Sequence, residues 1–143
     1  MEIKAETLIN ATPEKVWAVL TDFTSYPAWN PFIKSVEGKA EVGNKLTVTI
    51  MQSGDKGTTF KPKVLTVVPS KELSWLGRLL LPNIFDGEHK FELRKNRDGT
   101  TTFRQSEKFS GILVPFFKKQ LENNTAKGFE GMNAKLKELA EKK

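Results

Sequence analysis

The chain has 143 residues, 38% of them hydrophobic, with 10 Phe and 3 Trp, which is enough apolar mass for one domain over 1–143 and excludes a disordered chain. It has no Cys and a single His, His89, so a disulfide framework, a thiolate metal site, a thiol nucleophile and any two-histidine site within one chain are excluded. The formal net charge is +6, yet the 23 Lys and Arg are interleaved with 17 Asp and Glu, which reads as a solvated surface and not a nucleic-acid patch.

Residues 2–10 alternate, with Ile3, Ala5, Thr7 and Ile9 on one side, and predict a half-buried strand. Thr12 and Pro13 form a helix start, cap then first helical position, and the apolar spacing from Val16 to Phe23 predicts a helix over 13–22. Tyr26-Pro-Ala-Trp-Asn-Pro-Phe32 is a tight aromatic connection with room for one more helical turn. From Ile33 to Gly111 the pattern is that of sequential antiparallel strands. They are 33–38, a strand through Leu46, Val48 and Ile50, a long strand from Phe60 to Val68, then 72–79, 84–95 and 100–111. Turns are expected at Gly43-Asn44 and Gly54-Asp-Lys-Gly57, and Pro62 points to an edge or a bulge. The last element is a helix over 115–140. Phe117, Leu121, Thr125, Gly128, Met132, Leu136 and Leu139 share one face. Phe117, Leu121 and Met132 should point inward, and Lys118, Lys119, Lys127, Lys135 and Lys137 outward. Such a helix is roughly 39 Å long, and only a broad, curved sheet can bury its face. The fold class is α+β, with the long helix across one face of the sheet.

The hairpin near residue 98 can be put in register. Matching the apolar faces of 85–93 and 103–111 needs an odd loop, and Arg97-Asp98-Gly99 supplies three residues with Gly at the left-handed position. Asn96 then pairs with Thr100, and His89 lies opposite Glu107, Phe91 opposite Gln105 and Leu93 opposite Phe103. Three polar side chains, His89, Gln105 and Glu107, thus point inward among phenylalanines. Burying a polar group without a partner costs roughly 1–3 kcal/mol. They satisfy one another in a His–Glu pair that fixes the sheet, or face a ligand, or form an acid/base pair. Gly128 and Gly131 inside the helix each cost about 1 kcal/mol relative to Ala, a sign of close approach by another group or of a kink. No phosphate loop, dinucleotide fingerprint, hydrolase elbow or zinc-protease motif occurs, so no catalytic residue, metal or cofactor is assigned.

Several stretches together carry a family likeness over nearly the whole chain. They are Ala11-Thr-Pro-Glu-Lys-Val-Trp17, Asp22-Phe-Thr-Ser-Tyr-Pro-Ala-Trp-Asn-Pro-Phe32, Leu73-Ser-Trp75, Asp86-Gly-Glu-His-Lys-Phe91, Glu107-Lys-Phe-Ser-Gly111 and Gly128-Phe-Glu-Gly-Met-Asn133. The chain resembles the START-like (SRPBCC) helix-grip superfamily, and within it the bacterial polyketide cyclase/dehydrase-like group. The resemblance implies a curved antiparallel sheet of about seven strands wrapped around the C-terminal helix, with short helices after the first strand and an apolar cavity between. Its members bind lipids, hormones, polyketides or quinones, so the expected partner is a small hydrophobic molecule. With strand parity and the helix face, the expected lining is Trp29, Phe32, Val48, Ile50, Phe60, Trp75, His89, Phe91, Gln105, Glu107, Leu121, Thr125 and Gly128. Two other readings stay open: a cyclase or dehydratase using His89 and Glu107, and a protein-interaction module whose pocket is filled by side chains. The apolar joints 77–85, with Leu80 and Leu81, and 111–116 read as a shared gate to the cavity. The start of the chain lacks a signal-peptide pattern and its apolar runs fall far short of a membrane span, so the expected location is the cytoplasm.

Overall fold

A computed structural model describes residues 1–51, 57–79 and 83–142. Strand β1 (Glu2–Ile9) is followed by α1 (Pro13–Thr21), a 3-10 turn (Phe23–Ser25) and α2 (Tyr26–Trp29). Seven further strands follow: β2 (Ile33–Glu37), β3 (Thr47–Met51), β4 (Gly57–Phe60), β5 (Lys63–Val68), β6 (Glu72–Leu79), β7 (Phe85–Lys95) and β8 (Thr101–Ser110). Helix α3 (Val114–Glu141) ends the chain. Among the described residues no helix is long and apolar enough to cross a membrane.

The sheets are antiparallel throughout. One has the order β1-β8-β7-β6-β5, so the first strand closes on the last, and the other has the order β2-β3-β4. The long strand expected from Phe60 to Val68 is broken into β4 and β5 at Lys61-Pro62, because proline has no N–H to give to a ladder. The Pro62 carbonyl instead accepts from Leu46 N–H at 2.9 Å, and Lys45 bridges Lys63, which ties the small sheet to the large one. The result is a curved antiparallel sheet that grips the long helix.

Local chemistry sets the helix starts. Thr12 Oγ1 accepts from Lys15 N–H at 3.3 Å, capping α1, with Pro13 in the first turn. The Tyr26 hydroxyl donates to the Leu20 carbonyl in the core; burial, then the charge of Asp22, pushes the phenol far above its ordinary range and keeps it a donor.

Helix α3 is seated in two different ways along its length. From Thr125 onward it buries Phe129, Met132, Asn133, Leu136 and Ala140, packed over β1 and β8 and beside α1. Its first two turns do not follow. Phe117, expected inward, is 44% exposed and Phe116 is 80% exposed, while Leu121 is only half-buried. Val114 at the start of the helix is buried, and Phe117 makes an edge contact with Phe85 of β7 at 6.2 Å. Lys118, Lys119, Lys127 and Lys135 face solvent. Lys137, expected with them, is half-buried because its ammonium donates to the Leu8 carbonyl at 2.8 Å.

The two halves of α3 should respond differently to truncation. Leu136→Ala is expected to destabilise by about 2–5 kcal/mol, and Phe117→Ala by less than about 1 kcal/mol, in denaturant unfolding. Equal losses would mean that the whole helix face is gripped.

Candidate functional site

The β7–β8 hairpin carries the polar residues, and its register is the one the loop demands. Gly99 adopts φ 88°, Asn96 N–H donates to the Thr100 carbonyl at 2.8 Å, and the register places His89 opposite Glu107 and Phe91 opposite Gln105.

The three inward polar groups then part company. His89, 1% exposed, is ringed by Trp75, Phe91 and Phe129 at centroid distances of 5.4, 4.5 and 5.4 Å. Its Nε2 lies 2.8 Å from Gln105 Oε1, Gln105 Nε2 donates to Asn133 Oδ1 at 2.9 Å, and Asn133 Nδ2 donates to the Ala5 carbonyl at 3.4 Å. A carbonyl only accepts, so the direction of the chain is set from its end. Asn133 turns its NH2 to Ala5, Gln105 turns its NH2 to Asn133, and His89 must donate from Nε2. The Nδ1–Oε2 separation is 3.7 Å, too long for a hydrogen bond, and Glu107 Oε2 is buried with no donor.

Glu107 instead looks into a cavity of about 220 Å³ between β3, β4, β6, β7, β8 and α3. Its wall is apolar over Phe32, Ile50, Phe60, Phe85, Phe109 and Leu121, with Thr58, Arg78, Asn124 and Thr125 adding polar atoms. Gly77 and Gly87 complete it, and they are directly opposite each other in the β6–β7 pair. One step along, the same register pairs Trp75 with His89, which fill the space above their strands. The cavity is therefore a subtraction: two facing glycines remove the side chains that would close it. A Cβ on Gly87 would meet Glu107 Oε1 at 3.4 Å, and one on Gly77 would meet the Phe60 ring at 3.1 Å. Arg78 is turned toward Asp86, with Nε 3.8 Å from Oδ2.

A second, outer cleft of about 240 Å³ lies between Pro31, Phe32, Met51, Asn124, Lys127, Gly128 and Gly131. Phe32 belongs to both walls and separates them. Its ring fits into the notch left by Gly128, where a Cβ would lie 2.3 Å from Cδ1. The two helix glycines thus mark a close approach of the Pro31-Phe32 segment.

Of the residues expected to line the cavity, Phe32, Ile50, Phe60, Glu107, Leu121 and Thr125 are brought together on its wall, and Gly128 lines the outer cleft. Val48, Trp75, His89, Phe91 and Gln105 are placed in packed core, and Trp29 is half-buried beside Tyr26, with Nε1 donating to Ser25 Oγ. Parity alone cannot say where along an inward face the packing stops. Phe85, Gly87 and Phe109 share the inward parity of His89 and Glu107, so their place on the wall was legible. Asn133 was missed, since an Asn in a helix reads as solvent-exposed. In the proposed gate, Leu80 and Leu81 lie outside the described residues. Its flanks are fastened to each other: Ile112 N–H donates to the Asn83 carbonyl at 3.1 Å and Leu113 N–H to that of Ile84 at 3.0 Å. Among the described residues no three His, Asp or Glu converge as metal ligands.

Helix-grip architecture with an apolar chamber under its long helix matches the START-like fold. The family model described as "Polyketide cyclase / dehydrase and lipid transport" matches residues 1–141, and the chain belongs to that family. Solved structures share the fold at low identity. Protein MLL2253 of Mesorhizobium loti has 23% identity and a TM-score of 0.75, covering 97% of this chain and 96% of its own. A START superfamily protein of Mycobacterium smegmatis has 17% identity and a TM-score of 0.77, covering 98% and 97%. The ZhuI aromatase/cyclase of Streptomyces sp. R1128 has 13% identity and a TM-score of 0.79, covering 99% and 93%. No curated protein matches in sequence. Family and fold fit a hydrophobic-ligand or cyclase/dehydrase-like role.

The glycine notch gives a paired test. Ala is worth about 1 kcal/mol over Gly in a helix, so Gly131→Ala, whose Cβ would sit 3.4 Å from Pro31 Cγ, should hold or raise stability. Gly128→Ala should lower it by about 1–3 kcal/mol, because the Phe32 ring must be displaced. A higher melting temperature for Gly128→Ala would rule out the close approach.

Proposed function

We propose that this protein binds and carries a small hydrophobic ligand in the cavity between its sheets and α3. The observation that supports this reading is the chamber itself. Six large apolar side chains surround about 220 Å³ that the core leaves unfilled, with one carboxylate on the wall. Sites for drug-sized molecules run from about 300 to 1,000 Å³, so the volume suits something smaller, of one or two rings. Phe32 stands between the chamber and the outer cleft and is the natural door.

An acid/base role for His89 and Glu107 has less support. The His89 ring is off the cavity wall, its Nε2 is committed to Gln105, and its Nδ1 is 3.7 Å from the carboxylate. General acid–base work needs a group within about 2.6–3.2 Å of the proton it moves, or one water away.

The test combines native mass spectrometry with titration of 1-naphthylamine, a two-ring fluorescent probe. Gly87→Val and Leu121→Trp fill the chamber from opposite walls. Each should weaken probe binding by about tenfold or more, roughly 1.4 kcal/mol, with the melting temperature of at least one variant kept near that of the parent. Probe affinity unchanged in both variants, or no binding by the parent protein, would sink the proposal.

A further inference from the structure

The carboxylate on the cavity wall is a recognition element with an open acceptor. Glu107 projects from the middle of β8 among Phe85, Phe109 and Ile50, and its side chain is 12% exposed. Neither His89 nor Arg78 makes a hydrogen bond to it. His89 Nε2 is held by the amide chain that ends on Ala5, and Nδ1 stops at 3.7 Å. Arg78 is directed at Asp86. Oε2 is left with no donor among the described residues. That oxygen is buried beside His89 Nδ1 and out of a ligand's reach, so a donor arriving from the cavity meets Oε1, a charged acceptor with apolar neighbours. Gly87 keeps the approach to the other oxygen open, since a Cβ there would come within 3.4 Å of Oε1.

Resting on the ligand-binding reading above, we infer that the chamber selects apolar molecules that carry a hydrogen-bond donor, a hydroxyl or N–H group, at the end that reaches Glu107. The donor meets the carboxylate, and the ring system fills the space between Phe32, Phe60, Phe109 and Leu121. An acceptor-only molecule of the same shape would set its oxygen against the carboxylate lone pairs and is rejected. The glycine pair sets the depth of entry, and Glu107 sets the polarity of what is admitted.

Two probes of nearly the same shape decide this: 2-naphthol, which donates, and 2-methoxynaphthalene, which only accepts. Hydrogen bonds to charged groups give roughly tenfold to hundredfold in affinity, so the full-length protein should prefer 2-naphthol by that factor in calorimetric or fluorescence titration. Glu107→Leu should abolish the preference and bind 2-methoxynaphthalene more tightly than the parent does. Glu107→Gln keeps the shape and a neutral acceptor, and should retain only part of the preference, which preserves the test if the leucine variant misfolds. If the parent binds both probes equally, or the leucine variant keeps the preference, the donor rule is wrong while ligand binding stands. If the parent binds neither, the ligand-binding reading falls and this inference with it.

Discussion

The seating of α3 governs the rest of the molecule. Its carboxy-terminal half is held by apolar contacts through Phe129, Met132, Leu136 and Ala140, and by one buried polar chain running from the Ala5 carbonyl through Asn133 and Gln105 to His89. Apolar packing alone tolerates sliding and rotation. A buried amide pair does not, because each unmade hydrogen bond leaves a costly orphan inside. The chain therefore sets the rotation of the helix, and with it the direction in which Leu121, Asn124 and Thr125 face.

Because most of the buried side chains of α3 lie in that half, the other half acts as a roof. The chamber lies where the helix parts from the strands and where Gly77 and Gly87 leave the pleat bare. Trp75 and His89, one register step away, show the alternative: filled, dry and polar only where partners exist. Within one inward face, β7 thus changes from core to cavity between His89 and Gly87.

The split among the inward polar groups follows from the same geometry. His89 and Gln105 lie where the helix is close enough to supply Asn133, and they become part of the structural core. Glu107 lies beyond that reach, where its neighbours are space and aromatic rings. Shared register brings His89 and Glu107 opposite each other, but Nε2 of the ring is committed to Gln105 and Nδ1 stops 3.7 Å from the carboxylate. Adjacency across a sheet is therefore different from partnership.

Local patterns in the sequence determined a good deal. The Thr12-Pro13 start of α1, the alternation of the strands, the three-residue loop with Gly99 and hence the pairing of His89 with Glu107 all follow from interactions a few residues apart. The long helix and the sheet it needs were legible from periodicity and length. What tertiary structure alone decided is where that helix stops touching the sheet. Phe117 has the parity of a core residue yet is 44% exposed, with an edge contact to Phe85 of β7. Val48 and Trp75 have the same parity as Ile50 and Gly77, yet lie on the filled side of the boundary. Asn133 is polar in a helix and is buried only because Gln105 and Ala5 meet it from distant parts of the chain. Periodicity reports which way a side chain points. Whether it meets a neighbour or a void depends on the summed volumes of residues brought together from far apart, and that sum is not written in any local stretch.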